Sequence, residues 1–334
     1  LKQFAVFTLK VVILAAIVFF LTKKVDISEI GRFIKKGRFD FIALAGLFII
    51  LKYCILGYRW YFNLKYFLHI KDISLRFYIQ SYLEVVFLRM VFPIPDSEDM
   101  LRILKMKSAN IALNKATQVI IIDRTFALLF ILALLPFTIY IYFNEIFSKN
   151  KEALMLLIGL LIVFVLVLAF RRKLIAIVVH LLEKLQPRRF IAVLKNILLE
   201  ISSLKTDRNT SIKYLMLIGL SNLLNILALW ILLIAYAQSV SIASLYFSLP
   251  LLLLPIFLPI SYQGLGVFEA ILIGLLPIYG VSNEISIVVS SLHFSFEILM
   301  LLLGGCIYTL NRKSNEIATI KKLIDELRFN DLTS

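Results

Sequence analysis

The sequence is poor in the residues that staple or divide a soluble protein. It has two cysteines, Cys54 and Cys306, in 334 residues, both inside apolar runs. That excludes a disulfide framework and reads both as small apolar fillers. The three histidines, His69, His180 and His293, stand far apart, and no Cys/His cluster has the spacing of a metal site, so neither metal nor cofactor is expected. Charged residues make up 17% of the chain, against about a quarter in soluble domains. No stretch rich in Pro, Gly or Ser marks a domain boundary. No Gly-rich phosphate loop is present, so ATP hydrolysis of that kind is not expected. Nor do the apolar runs alternate with polar residues as the strands of a membrane barrel do.

What is abundant is hydrocarbon: 61% of the residues are hydrophobic. Apolar blocks recur at about 20 residues, the length that crosses roughly 30 Å of bilayer core as a helix. Phe4–Leu21, Phe39–Leu56, Ala116–Phe143, Ala153–Phe170, Ile212–Ala237 and Ile285–Leu310 are read as spanning helices. Two further tracts, Phe77–Pro95 and Leu245–Tyr279, are apolar but interrupted. The expected fold is an all-α, polytopic membrane bundle of about six spans plus these two tracts. Residues 1–310 form one membrane domain and 311–334 a short basic, amphipathic tail. No residue-level repeat links the two halves.

The net charge of +15 would point to nucleic acid in a soluble protein. In a membrane protein it points to the positive-inside rule and anionic headgroups, so no nucleic-acid partner is expected. The basic loop 171–211 and the tail are placed in the cytoplasm of a multi-pass protein of the cell membrane. The linkers Asn144–Glu152 and Gln238–Ala243 are placed outside. The linker Gly57–Arg76 has two readings: outside if Phe77–Pro95 spans, inside if it dips in and returns.

Charges within the apolar segments are the functional candidates, because each costs about 2.5–3.5 kcal/mol at a helix centre on insertion scales. Asp123 and Arg124 lie several residues inside a span, and each should find a partner on another segment. His293 and Glu297 are four apart on the last span, hence on one face. Lys52 lies near the end of its segment and is read as snorkelling to the interface. In "FLRMVFPIPDSEDMLR", Glu84 and Arg89 precede Pro93 and Pro95, and Asp96, Glu98 and Asp99 precede Arg102. In "PISYQGLGVFEA", Pro259, Ser261, Gln263, Gly264 and Gly266 break the helix ahead of Glu269. Non-helical backbone at membrane depth needs protein or a wet cavity around it, so this stretch reads as the tip of a re-entrant hairpin. A helix then resumes over Phe268–Pro277 with its amides facing an anion.

The order of these motifs resembles the lysylphosphatidylglycerol synthase/flippase transmembrane family, also called flippase-like domain proteins. Its pattern of Pro, then Gly-acid-x-x-Arg, is matched by Pro95 and Asp99-x-x-Arg102, with Glu98 in the glycine's place. Its acid-Arg pair is Asp123–Arg124. "PISYQGLGVFEA" follows its Gly-rich motif, with Gln263 for one glycine. Its last-span arginine falls at His293, upstream of Gly304 and Gly305. The resemblance implies re-entrant tracts, which tips Gly57–Arg76 to the inside, and transbilayer movement of a lipid. The groove would be lined by Arg102, Arg124 and Glu269. The cargo would be an anionic or aminoacylated phospholipid, or a lipid-linked glycan. About 24 residues follow the last span, so aminoacyl transfer by a soluble synthetase domain is not expected. The rival readings are a membrane transferase acting on lipid-linked envelope glycans and a partner-recruiting subunit; a homo-oligomer stays open.

Overall fold

The computed structural model describes residues 37–70, 74–91, 97–142, 207–253 and 267–311. The expected spans Phe4–Leu21 and Ala153–Phe170, most of the basic loop, the tail, and Pro95, Pro259, Ser261, Gln263, Gly264 and Gly266 lie outside the described residues.

Every described element is helical. In chain order they are α1 (Phe39–Phe62, ending in a π-turn, Asn63–Phe67), α2 (Leu75–Val91), α3 (Ser97–Ser108), α4 (Leu113–Tyr142), α5 (Arg208–Ala235), α6 (Ile242–Phe247), α7 (Leu249–Leu253), α8 (Val267–Leu275, followed by a 3₁₀ turn, Leu276–Tyr279) and α9 (Asn283–Asn311). Among the described residues four helices are long and apolar enough to cross a membrane: α1 with its π-turn, α4, α5 and α9. Each has 28 or 29 residues in its apolar stretch, or about 42 Å at 1.5 Å per residue. The expected boundaries hold within a few residues for α4, α5 and α9. α1 does not stop at Leu56: the aromatic run Tyr58–Phe62 carries the helix on, and Arg59 and Trp60 are buried within it.

The interrupted tracts are hairpins. α3 runs back along α2, because Arg89 meets Glu98 at 2.8 Å while Glu84 meets Lys105 at 2.6 Å, an antiparallel register. α3 is a helix where the sequence pattern predicts only a polar stretch after the apolar tract. In the second tract, Tyr279 donates to the Ser244 carbonyl at 3.1 Å, so the chain returns through α8 to where α6 began.

α5 lies along α1, also antiparallel. Asn63 meets Tyr214 at one end, Arg59 meets Ser221 further in, and the Arg38 amide meets the Ala235 carbonyl at the other end. The end of α1, the start of α5 and the base of the α2/α3 hairpin therefore share one end of the bundle. This agrees with the hairpin reading of Phe77–Pro95.

The described elements repeat. Each half runs long helix, hairpin, long helix. α1 and α5 start 169 residues apart (208 − 39), α3 and α8 start 170 apart (267 − 97), and α4 and α9 start 170 apart (283 − 113). The packing repeats as well. The first hairpin lies against α9, where Tyr308 and Phe87 are 6.0 Å apart. The second lies against α4, where Phe137 stacks on Phe247 at 5.1 Å and Thr138 donates to the Phe247 carbonyl. Because α1 and α5 are antiparallel, the halves are inverted with respect to each other, as in many transporters.

Candidate functional site

The seam between α1 and α5 is polar through the middle of an apolar bundle. On α1, Lys52 and Arg59 are seven residues apart, two helical turns, and so face the same way. On α5, Ser221 and Asn225 are four apart and answer them. Each pair nucleates a cluster.

The first cluster centres on Asp123 of α4. Arg59 donates to one carboxylate oxygen at 2.6 Å, and Arg102 of α3 donates to the other at 3.0 Å. The Tyr214 hydroxyl also donates to Asp123, while accepting from Asn63. Asp99, at the start of α3, takes Arg124 from α4 at 3.0 Å and lies 3.7 Å from Arg102. Its neighbour Glu98 holds Arg89 at 2.8 Å. Trp60 lies under Arg102, 5.3 Å from ring centre to guanidinium. Arg102 is 4% exposed, whereas the Arg124 side chain is 48% exposed. Four guanidiniums (Arg59, Arg89, Arg102, Arg124) and three carboxylates (Glu98, Asp99, Asp123) thus meet in this cluster. The Nε–H groups of Arg59 and Arg102 are buried without a hydrogen-bond partner.

The second cluster centres on α9. Lys52 meets Glu297 at 2.5 Å, and the Tyr53 hydroxyl donates to the other oxygen of that carboxylate at 2.5 Å. Asn225 Oδ1 accepts from Lys52 at 3.1 Å and lies 3.1 Å from His293 Nε2. His293 Nδ1 faces Glu269 of α8 at 3.8 Å, and Phe268 stacks on the imidazole at 5.2 Å. Tyr53 and Tyr82, with ring centres 6.2 Å apart, bridge toward the first cluster.

A third pair, Glu84 with Lys105, is completed by Asn311, which donates to Glu84 at 2.9 Å. It ties α2, α3 and α9 together away from the seam.

Several expectations change. Lys52 does not snorkel: it is residue 14 of the 29 from Phe39 to Phe67, mid-helix, and is paired. Arg59 lies within α1 and not in the basic linker expected from Gly57 onward, and Tyr214, Asn225 and Tyr53, none of them a sequence candidate, hold the clusters. The signal available for Arg59 was its aromatic context, which favours a continuing helix at the interface. Asp123 and Arg124 do find partners on other segments, as expected. Glu84 belongs to neither seam cluster.

Long apolar helices, broken hairpins and charge clusters held at depth define a polytopic α-helical membrane protein with an intramembrane polar site. The chain belongs to the family described as Lysylphosphatidylglycerol synthase TM region, which it matches over residues 7–305. That membership gives it a lipid-related role in the membrane. It has no match among curated proteins.

Proposed function

We propose that this protein moves a phosphate-bearing lipid headgroup between the two leaflets, as a transporter and not as an enzyme. The observation that carries the reading is the gathering of four guanidiniums in the first cluster, one of them open at its rim. Arg124 is open at the edge of the cluster, and the buried Nε–H groups behind it still have donors to offer. Arginine's fork suits a phosphate. Anionic phospholipids, aminoacylated phospholipids and lipid-linked glycans all present that group, and their chains can stay in lipid while the head crosses.

The inverted repeat supports alternating access, since each half can adopt the other's arrangement about a fixed central seam. In this reading the protein sits in the cell membrane. The bundle end with Ser108 and Arg208 faces the cytoplasm, and the end with Ala235 and Asn283 faces outside.

The test is reconstitution into liposomes carrying tagged phosphatidylglycerol, with an impermeant quencher reporting leaflet exchange. Wild type should accelerate exchange and Arg102→Ala should not. Mass spectrometry should recover the lipids chemically unchanged. Altered lipid without exchange would instead favour a membrane transferase.

A further inference from the structure

Arg124 is the open guanidinium of the first cluster, and a carboxylate comes with it. Its Nε donates to Asp99 Oδ2 at 3.0 Å, and its Nη2 lies 3.0 Å from the same oxygen. Asp99 thus takes one edge of the fork. The outer edge, with Nη1, is left for a ligand, on a side chain 48% exposed. Asp99 shares this rim, with 17% of its side chain exposed. Its Oδ1 makes no hydrogen bond among the described residues and comes no nearer than 3.7 Å to Arg102 Nη1. Glu98, the residue before it, accepts from Arg89 at 2.8 Å and from the Tyr82 hydroxyl at 3.5 Å. Asp99 is therefore the carboxylate beside Arg124 with accepting capacity to spare.

A phosphate on Arg124 lies beside that carboxylate. Two anions side by side repel, and water screens them poorly where both are partly buried. A headgroup that brings its own cation meets the opposite situation, with its phosphate on Arg124 and its cation on Asp99. A site discriminates by the charge it sets against the wrong ligand as well as by what it offers the right one. Because the guanidinium and the carboxylate are in contact, the cation must sit within a few bonds of the phosphate. Ethanolamine carries its ammonium two carbons from the phosphate oxygen. An aminoacyl group on a glycerol headgroup carries its amine further away, and glycerol alone carries none.

The repeat shows that this rim is built into one half. The turns after α3 and α8 match at an offset of 170 (281 − 111, 276 − 106): Ile111 N–H donates to the Met106 carbonyl and Val281 N–H to the Leu276 carbonyl, and Asn110 and Gly280 both have positive φ. In that register Glu269 stands where Asp99 does, whereas Phe294 stands where Arg124 does. The acid recurs and the exposed guanidinium does not.

We propose that Asp99 is a specificity-determining residue of the lipid site, and that the headgroup it selects is an aminoalkyl phosphate of the ethanolamine kind, its phosphate on Arg124 and its ammonium on Asp99. This rests on the lipid-transport reading above and narrows its substrate.

Two measurements test it. The first is the quencher assay in liposomes with tagged phosphatidylethanolamine, phosphatidylglycerol or lysylphosphatidylglycerol, each in a separate preparation. Wild type should exchange the ethanolamine lipid about tenfold faster than either of the others, a difference of about 1.4 kcal/mol. Asp99→Asn keeps the shape without the charge, and should bring the ethanolamine and glycerol rates together. Asp99→Glu should restore the preference. A carboxylate that only braced the bundle would change all three rates in proportion. Equal wild-type rates, a proportional loss in Asp99→Asn, or fastest exchange of the lysyl lipid overturns the selection while lipid transport stands.

The second measurement needs neither a variant nor transport. Short-chain phosphatidylethanolamine should raise the unfolding temperature of the wild-type protein in detergent more than short-chain phosphatidylglycerol does at the same concentration. Equal shifts overturn the selection even if the Asp99 variants do not fold. If wild type exchanges no tagged lipid, the transport reading falls, and the unfolding shifts alone judge which headgroup the rim prefers.

Discussion

Asp123 holds two arginines and a tyrosine hydroxyl inside a hydrocarbon-facing bundle, so its removal leaves cations without an answer. Taking one partner from a buried pair costs about 3–5 kcal/mol. Asp123→Asn should therefore lower the unfolding temperature sharply, measured by thermal denaturation in detergent, and Arg59→Ala should do the same. Arg124 differs because its side chain is half exposed. Arg124→Ala should cost less than about 1 kcal/mol of stability and yet stop lipid exchange. Its carboxylate partner is Asp99, not Glu269, which faces His293. A double-mutant cycle on stability should show Arg124 and Asp99 coupled, and Arg124 and Glu269 additive within about 0.5 kcal/mol. Coupling between the second pair would mean that the two clusters share a groove directly. Asp123, Arg124, His293 and Glu297 were legible in the sequence, because any ion in an apolar run is expensive and so stands out, whereas Arg59 and Lys52, near the expected end of α1, did not. Their partners were not. Arg59 and Asp123 are 64 positions apart and Lys52 and Glu297 are 245 apart, and no local pattern encodes which helix faces meet.

At the scale of elements, hydropathy located the long helices because burying one in lipid needs only length and apolar content. It blurred α1, whose polar-looking end continues as helix, and it missed α3, whose 12 residues are too polar to register as a span. That polarity has a reason, since Glu98, Asp99, Arg102 and Lys105 of α3 pair with α2 and α4. The hairpin made by α2 and α3 is locked to α9 by close backbone contact. A Cβ built on Gly304 would lie 2.0 Å from the Leu83 carbonyl oxygen, a clash with backbone that cannot swing aside. Gly304→Ala should then separate α2 from α9 and cost at least the roughly 1–3 kcal/mol of an overpacked core. Gly274, in α8, has nothing within 4 Å of the same position. Gly274→Ala should be neutral, or stabilising by up to about 1 kcal/mol from helix propensity. Thermal unfolding of the two variants side by side makes the comparison. Equal behaviour would show that α9 does not seat against the hairpin as described.

For the whole molecule the decisive feature is direction. If Phe77–Pro95 crossed the membrane, α1 and α5 would run parallel in the charge-based topology, with the basic loop 171–211 inside. They run antiparallel, which the sequence left open because both flanking linkers are basic. The inverted repeat escaped the sequence for a related reason. Its two copies share spacing and packing, while the matched positions carry different chemistry, Asp123 in one copy and His293 in the other. The antiparallel arrangement makes a prediction for sidedness. In a Cys54→Ala, Cys306→Ala background, single cysteines at the exposed positions Lys65, Ser108 and Asn209 should all react with an impermeant maleimide from one face of the membrane. Cysteines at Ser239 and Ser282 should react from the other. The positive-inside rule assigns the first group to the cytoplasm, so in intact cells only Ser239→Cys and Ser282→Cys should label. Lys65 and Ser108 are the informative pair, because only the α2/α3 hairpin lies between them. Labelling from opposite faces would mean that this hairpin crosses, the halves would no longer be inverted copies, and alternating access about the α1/α5 seam would lose its structural basis.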